Sequence, residues 1–333
     1  MKRIPLLLAL AFGLGCDGGG LTGPVGEIKK GPQKKYRFAV VPKMLNNKVF
    51  KCAKISAEAA AREIGRKEGV EIEIVFQGPP ESNPARQASV VESLAGQGVH
   101  GISVSVDDAN VLQTAIDAAT AKGVPVITFD SDSPASKRKY FFGTNDLECG
   151  ERLAKHLGKL VQKGKVVIQS GTTGAPNLQM RVKGAKDYLA KHHPEIAVVD
   201  VLYCNDDVKK AVDQIGQYMS AHSDIAGWIL VGGWALFGAD ALKSIDPAKT
   251  KVVSCDALPE EWPYLESGKC QMLLAQDLWG WGAQSVRILK DLVDGKPVEA
   301  GPGGVINGGL EEVTAENLAD FKKKWAEQFP EYK

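Results

Sequence analysis

The sequence predicts an α/β protein of two doubly wound, parallel-sheet lobes, joined by a hinge that the chain crosses several times. The first observation is a regular alternation of strand and helix patterns from Tyr36 onward, which is typical of parallel sheets covered by helices. The second is a pair of apolar runs, 124–130 and 251–256, that each stop on an aspartate. The third is an additional strand and helix after Gly268, which predict a return of the chain to the first lobe.

The first series of elements follows from hydrophobic periodicity and from capping residues. An alanine-rich helical pattern ends at Gly69, and Pro84 occupies the first position of the next helix. The predicted strands span 36–44, 70–78, 100–106 and 124–130, and the predicted helices span 51–67, 83–95 and 108–121.

The second series follows a short segment at 141–143 and repeats this architecture without obvious sequence identity. Its predicted helices span 147–160, 180–191, 208–220 and 235–243, and its strands span 165–171, 197–205, 225–233 and 251–256. A strand at 269–277 and a helix at 278–292 lead back, and a last helix follows a cap of Thr314 and Asn317 and ends near Phe329. We therefore expect one lobe of 36–143 with 277–305 and another of 144–276 with 306–333.

The N-terminal segment is predicted to lie outside the fold. Residues 1–16 have a basic start, an apolar run and a small residue before Cys16, which is typical of a secretory signal. They also resemble a bacterial lipoprotein signal in which Cys16 becomes the lipidated first residue, although Gly13 stands where that family usually has leucine. Residues 17–35 are rich in glycine, proline and lysine, which predicts a flexible tether. We expect an exported protein in the periplasm or at the cell surface, with this lipid anchor as its membrane contact.

The charge and the cysteines exclude several classes of function. With 41 basic and 40 acidic side chains the net charge is +1, so no global field attracts nucleic acid, and no nucleic-acid partner is expected. Of the six cysteines, those after Cys16 show no CxxC or CxxH spacing, and we therefore expect no metal site and no cofactor. Their odd number leaves at least one unpaired thiol, and the sequence does not determine any pairing.

The aspartates that end the two apolar runs, Asp130 and Asp256, are the first candidates for ligand contacts. In open α/β sheets, ligands bind at the carboxyl ends of the strands, and two such ends would face one cleft. The alternative is that each aspartate caps a following helix or turn, and neither lobe taken by itself decides between the two.

Several short motifs carry a resemblance to a known family. In chain order they are Leu45-Asn46-Asn47 with Phe50, the strand that ends at Asp130, Gly143-Thr144-Asn145 with Gly150, Arg181 with Gly184, the strand that ends at Asp256, and Leu274-Ala275-Gln276. In this order and at these intervals they resemble the type I periplasmic sugar-binding proteins, specifically the ribose-binding branch that serves ABC importers. The resemblance spans residues 36 to about 313.

The resemblance implies a ligand between the lobes, held by hydrogen bonds to its hydroxyls and by aromatic rings against its apolar faces. Carried over position by position, it implies polar contacts at Asn47, Asp130, Arg181, Asp256 and Gln276, and an aromatic wall at Phe50. Carboxylates, amides and a rigid guanidinium are the groups that paired sugar hydroxyls need. The structural alternatives are a turn residue for Asn47, a solvated helix face for Arg181, an ordinary strand position for Gln276 and a core aromatic for Phe50.

Departures from the family pattern concern the same cleft. Ser131 stands where ribose binders have arginine, Val49 replaces an expected aromatic residue, and Asp206 stands near the place of another. Gly232-Gly233 replaces an expected Asn-Asp pair and Trp234 follows, which predicts space beside an indole and a ligand larger than ribose or differently oriented. The further candidate ligand contacts are Lys43, Ser131, Asn145, Asp206 and Trp234.

The expected function is that of an exported, monomeric solute-binding protein that captures a sugar or polyol and delivers it to an ABC permease. A ligand-sensing receptor component with the same fold is one alternative. An enzyme that acts on a sugar, with Asp130 and Asp256 as acid and base, is another. The sequence has no GxSxG, no HExxH and no complete phosphate loop, which favours binding over catalysis. Trp279 and Trp281 are predicted to pack the hinge.

Overall fold

The computed structural model describes residues 34–332. The predicted signal segment, the lipidation site at Cys16 and the tether up to residue 33 lie outside the described residues. Within 34–332, no helix combines the length and the apolar character that crossing a membrane requires.

Two six-stranded sheets organise the described chain, which confirms the predicted fold class. The first sheet consists of β1 (Lys35–Val41), β2 (Glu71–Phe76), β3 (Gly101–Val104), β4 (Val126–Phe129), β5 (Phe141–Gly143) and β11 (Val305–Asn307). Its order is β11-β5-β4-β3-β1-β2, and all its strand pairs are parallel. The central strands β3 and β4 are buried throughout, as strands with helices on both faces must be.

The second sheet has the same design with one reversed edge. It consists of β6 (Gly164–Ser170), β7 (Ile196–Tyr203), β8 (Ile225–Leu230), β9 (Lys251–Asp256), β10 (Met272–Gln276) and β12 (Leu310–Val313). Its order is β12-β10-β9-β8-β6-β7, in which β12 pairs antiparallel to β10 and all other pairs are parallel. We call each sheet with its covering helices the first lobe and the second lobe.

Helices cover both sheets, and the hydrophobic core lies between them and the strands. They are α1 (Val49–Glu68), α2 (Pro84–Gly96), α3 (Ala109–Ala121), α4 (Asp146–Val161), α5 (Pro176–His192), α6 (Val208–Ala221), α7 (Trp262–Glu266), α8 (Leu278–Val293) and α9 (Leu318–Gln328). Helix α8 follows a strand of the second sheet but packs on α1 and on β3, β4 and β5 of the first. The chain therefore changes lobe after β5, again before α8, and again between β11 and β12.

The structure corrects one predicted helix and the start of another. The helix predicted at 235–243 is wrong: a single 3-10 turn, Ala235–Phe237, is followed by irregular turns. Gly238 is extended and Asp240 has a φ of 57°, and neither conformation continues a helix. Helix α5 begins at Pro176 rather than at residue 180, because proline fits the first turn of a helix.

The cap predicted for the last helix is formed in part. The Oδ1 atom of Asn317 accepts a hydrogen bond from the Thr314 backbone N–H at 2.8 Å, which is one of the two bonds of a capping box. Helix α9 itself begins at Leu318, with Asn317 in the N-cap position.

Candidate functional site

The carboxyl ends of the parallel strands of both lobes converge on one small cavity, which we call the inner cavity. It has a volume of about 30 Å³ and is lined by side chains from both lobes. The six residues that the family motifs picked out all line it: Asn47, Phe50, Asp130, Arg181, Asp256 and Gln276. Among the further candidates, Lys43, Asp206 and Trp234 also line it.

Asp130 lies directly after β4 in a left-handed backbone conformation, with a φ of 59°. Its Oδ2 atom accepts a hydrogen bond of 2.5 Å from the Ser105 hydroxyl, and its Oδ1 atom accepts one of 3.1 Å from Asn177 Nδ2. The Lys43 ammonium lies 3.5 Å from Oδ2. These partners occupy the carboxylate, so the bonds of Asp130 are tertiary contacts rather than a helix cap.

Asn177 connects the two lobes and was not among the predicted site residues. Lys43 is only 3% exposed, and its Nζ atom donates to Asn177 Oδ1 at 3.0 Å. Asn177 in turn donates to Asp130, so a single amide from α5 is bonded to two residues of the first lobe. The signal that could have found it is Pro176, which sets the true start of α5 and places Asn177 in the first helical turn.

Asp256 ends β9 and is held within its own lobe. Its Oδ2 atom accepts a hydrogen bond of 2.8 Å from the Gly233 backbone N–H, and its Oδ1 atom accepts one of 2.6 Å from Gln276 Nε2. Burial raises the pKa of this carboxyl, and the nearby Arg181 guanidinium opposes that rise. A backbone N–H at Gly233 thus makes a polar contact where the family pattern has a side chain.

Arg181 is the centre of the polar network of the second lobe and is 2% exposed. Its Nε atom donates to Asp146 Oδ1 at 2.8 Å, and its Nη2 atom donates to Gln276 Oε1 at 2.7 Å. Thr144 donates to the same Gln276 oxygen at 2.7 Å. The guanidinium is therefore fixed in position before any ligand contact, as a rigid hydrogen-bonding group requires.

Three aromatic rings pack behind the polar groups. The Phe50 ring lies at a centroid distance of 6.2 Å from Phe129 and 6.1 Å from Trp281, and the former pair is edge to face. Trp281, predicted to pack the hinge, also lines the inner cavity together with Phe50. The sequence did not indicate this second role because helix α8 reaches the cavity only after the chain returns to the first lobe.

Two of the further candidates do not line the inner cavity. Asn145 is exposed and caps α4, where its Oδ1 atom accepts a hydrogen bond of 3.3 Å from the Glu148 N–H. Its neighbours Thr144 and Asp146 contact Gln276 and Arg181 instead. Ser131 is 0% exposed, and within 34–332 its hydroxyl has no hydrogen-bond partner.

The indole of Trp234 fills the space that a side chain at Gly232 would occupy. A Cβ atom on Gly232 would lie 2.5 Å from the Trp234 ring, so this glycine permits the ring to lie against the backbone. Trp234 is 6% exposed. The replacement of polar side chains at 232–233 thus accommodates an aromatic wall.

The inner cavity is too small for a sugar ring in the arrangement described. A volume of about 30 Å³ suits a water molecule, whereas small-molecule sites are typically roughly 300–1,000 Å³. The bonds of Asn177 to Lys43 and Asp130 close the cleft at this point. Ligand entry therefore requires these contacts to separate.

Comparison with known proteins gives a consistent result for sequence and structure. A family model described as periplasmic binding protein domain matches residues 38–297. The ribose import binding protein of Bacillus subtilis is 24% identical over 272 residues, which cover 81% of this chain and 85% of that protein. A solute-binding protein of Burkholderia graminis, solved with D-arabinose, is 28% identical with a TM-score of 0.78, covering 87% of this chain and 98% of that one. A glucose-galactose binding protein of Geobacillus stearothermophilus is 25% identical with a TM-score of 0.77, covering 86% and 99%.

Proposed function

Because the chain belongs to the periplasmic binding protein domain family, we propose that it is an exported solute-binding protein that delivers a sugar or polyol to an ABC permease. The family resemblance predicted from the sequence motifs is confirmed by the match over 38–297. The relatives named for ribose import, D-arabinose and glucose or galactose support a sugar as the class of ligand.

The observation that carries the proposal is the convergence of hydrogen-bonding groups from both lobes on one cavity. Asp130 and Asp256 lie at equivalent strand ends of the two sheets, and Arg181 and Gln276 lie between them. Such a set can accept from and donate to several hydroxyls at once, and the Phe50 ring offers an apolar surface beside it.

The proposed lobes follow the expected division, 36–143 with 277–305 and 144–276 with 306–333. Sheet membership supports this division except at residues 306–307, which belong to β11 of the first sheet, and it favours a last crossing at Gly308 and Gly309, between β11 and β12. Three crossings between two lobes are suited to hinge closure around a ligand. The salt bridge of 2.8 Å between Lys48 of the first lobe and Glu260 of the second would form on closure.

A thermal-shift screen of pentoses, hexoses and sugar alcohols, followed by calorimetric titration of each hit, tests the proposal. A ligand at one hundred times its Kd should stabilise the protein by about 2.7 kcal/mol, which is readily detected. Solution scattering should show a more compact particle with saturating sugar, with a profile that matches the closed arrangement described above. Failure of every sugar and polyol to stabilise the protein contradicts the proposed ligand class.

A ligand-sensing receptor component remains the second candidate, because the same closed lobes could dock on a receptor instead of a permease. A permease and an ATPase encoded beside the gene, together with sugar transport when they are reconstituted with this protein, would establish the transport role. An enzyme that acts on a sugar, with Asp130 and Asp256 as acid and base, is the other alternative. Incubation of purified protein with a bound sugar, followed by NMR, should return the sugar unchanged. Turnover that is lost in Asp130→Asn would establish an enzyme.

The family supports an exported protein in the periplasm or at the cell surface, and we further propose a lipid anchor at Cys16 and a monomeric state. Cys16→Ser should release the protein from the membrane fraction into the soluble fraction. Retention of the variant in the membrane fraction would contradict the anchor. Light scattering of the globular part should give the mass of one chain.

A further inference from the structure

A second, larger pocket adjoins the inner cavity, and we call it the outer pocket. Its volume is about 400 Å³, within the range of small-molecule sites. Asn47, Asp206 and Trp234 line both spaces, so a ligand held by the inner cavity would extend directly into the outer pocket. The outer pocket is formed by loops that follow strands of both lobes, as the inner cavity is.

The wall of the outer pocket contains buried polar atoms without partners. Trp234 is only 6% exposed, and within 34–332 its Nε1 atom has no hydrogen-bond partner. The same holds in this part of the chain for Thr172 Oγ1 and Asp206 Oδ1. A buried polar atom that stays unpaired is energetically unfavourable. Side chains that line a pocket and carry such atoms are therefore suited to a polar ligand.

The position of Trp234 and Asp206 is set by a close backbone approach. A Cβ atom on Gly171 would lie 1.8 Å from Asp206 Oδ1 and 2.9 Å from the Trp234 ring. Gly232 permits the same close approach on another side of the ring. Two glycines thus bring a carboxylate and an indole together at the boundary between the inner cavity and the outer pocket.

The inner cavity carries more acid than base. Its ionisable lining residues are Asp130, Asp206, Asp256, Lys43 and Arg181. Arg181 is already engaged by Asp146 at 2.8 Å, which adds another carboxylate to this group. Lys43 lies 3.5 Å from Asp130, and Asp206 is left without an ion-pair partner within 4 Å among the described residues. With a neutral ligand, only a bound proton would compensate Asp206, since burial raises the pKa of this carboxyl to about 7.

Acidic side chains also outnumber basic ones in the lining of the outer pocket. Glu81 and Asp207 line it together with Asp206, and the lysine in its wall, Lys48, is paired with Glu260 at 2.8 Å. Trp234 lines the same pocket as these carboxylates, and an indole is the best aromatic partner for a cation. Carboxylates beside an indole form a receptor for a protonated amine.

We propose that the ligand is an amino-substituted sugar or polyol, with hydroxyls that contact the inner cavity and an ammonium group in the outer pocket beside Asp206 and Trp234. This proposal rests on the proposed function as a sugar-binding protein and specifies its ligand class. A charge-assisted hydrogen bond from the ammonium to Asp206 would offset the acidic excess that a neutral sugar leaves. The indole would add a cation–π contact, which also favours a protonated amine over a neutral ligand.

Matched ligand pairs test the proposal by calorimetric titration of the purified protein at pH 7. The panel contains hexoses, pentoses and polyols, each with its amino-deoxy counterpart and with the N-acetylated form of that amine as a neutral control of similar size. At least one amine should bind about tenfold or more tightly than both its hydroxyl parent and its N-acetylated form, and this preference should weaken at high salt.

The variant Asp206→Asn should lower the affinity for the amine about tenfold more than the affinity for the neutral parent, so that most of the preference for the amine is lost. The matched control is Asp213→Asn, because Asp213 is exposed on α6 and paired with Lys209 outside the pocket, so the preference should persist. Should Asp206→Asn fail to fold, Glu81→Gln on an exposed loop should lower the same preference about twofold.

The outcomes separate this inference from the function on which it rests. Neutral sugars that bind as tightly as every amine would overturn the amine proposal and leave the sugar-binding function standing. A preference for the amine that survives in both Asp206→Asn and Glu81→Gln would overturn the assigned position of the ammonium. An absence of binding across the whole panel would contradict sugar binding itself.

Discussion

The two halves of the cleft hold their aspartates in different ways. Asp256 is bonded to Gly233 and Gln276, which belong to its own lobe. Asp130 is bonded to Ser105 of its own lobe, and its other carboxylate oxygen is bonded to Asn177 of the opposite lobe. The second half of the site is therefore assembled without the first, whereas the first half is completed by contacts across the cleft.

This difference indicates an order of events. A ligand that enters an open cleft would meet a prearranged acceptor at Asp256, with Arg181 held by Asp146 beside it. The bond between Asn177 and Asp130 would form only on closure, so the first lobe contributes to selection of the closed state. The ligand must then replace or rearrange the direct bonds of Asn177.

The largest effect is expected from Arg181, at the centre of the polar network of the second lobe. Arg181→Met would leave Asp146 buried without its cation, and removal of one partner of a buried ion pair typically costs about 3–5 kcal/mol. We expect a loss of this size in the free energy of unfolding, measured by urea denaturation, together with loss of sugar binding. The control is Arg152→Met, where a half-exposed pair with Glu312 should contribute at most about 1 kcal/mol. Equal losses of unfolding free energy in the two variants would contradict a stabilising role of the polar network around Arg181.

A pH-dependent effect is expected from Asp206, a carboxyl of the second lobe that lines the inner cavity. Burial raises the pKa of Asp206 to about 7, and the Lys43 ammonium opposes this rise. A carboxyl whose folded pKa exceeds its unfolded value stabilises the fold at low pH, and this contribution is lost as the pH rises through the folded pKa. Relative to Asp206→Asn, the unfolding free energy of the wild type should fall by about 2 kcal/mol between pH 5 and pH 8. Parallel profiles of the two proteins would show that Asp206 has an ordinary pKa.

Substitution of Asp130 and of Asp256 compares the two halves of the cleft directly. Asp130→Ala and Asp256→Ala should each weaken sugar binding about tenfold or more, the scale of a lost charge-assisted hydrogen bond. Asp256→Ala should in addition lower the unfolding free energy by about 1–2 kcal/mol, because the Gly233 N–H and Gln276 lose their acceptor within one lobe. Unchanged affinity in both variants, measured by calorimetric titration, would remove both residues from the site.

The smallest effect is expected from Asn177, which is bonded to the opposite lobe across the cleft. Asn177→Ala removes the bonds to Lys43 and Asp130, so the closed state should lose stability and affinity should fall roughly threefold, with little change in unfolding. Asn145→Ala is the matched control, since it removes a helix cap and should cost about 1 kcal/mol of stability without any change in affinity. The opposite pattern, with binding lost in Asn145→Ala alone, would place the ligand contact at the start of α4 instead.

Much of the site could be predicted because its residues stand next to local signals. Asp130 and Asp256 end apolar strands, and Gln276 ends the strand before the return crossing, so the topology of a parallel sheet brings them to one edge. Asn145 was chosen from the family motif Gly143-Thr144-Asn145, which follows a short strand, but its side chain caps α4 and does not line the inner cavity. A capping residue and a cleft residue have the same sequence pattern, and only side-chain direction separates them.

Other features depended on parts of the chain that are distant in sequence. Lys43 and Asn177 are 134 positions apart, and their bond exists only because two separate lobes approach each other. The role of Trp281 depended on the return of α8 to the first lobe, and the helix predicted at 235–243 failed because local periodicity did not register the left-handed turn at Asp240.

The sequence by itself determined the fold class and the position of the cleft at the strand ends, because hydrophobic periodicity and strand termini are local properties. The family resemblance added Asn47, Phe50, Arg181 and Gln276, which line the inner cavity. Only the tertiary structure decided which of these residues are bonded to one another. It also showed the acidic excess around Asp206 and the placement of Trp234 over two glycines. Side-chain contacts and charge compensation depend on distances between elements, and those distances are fixed only when the lobes pack.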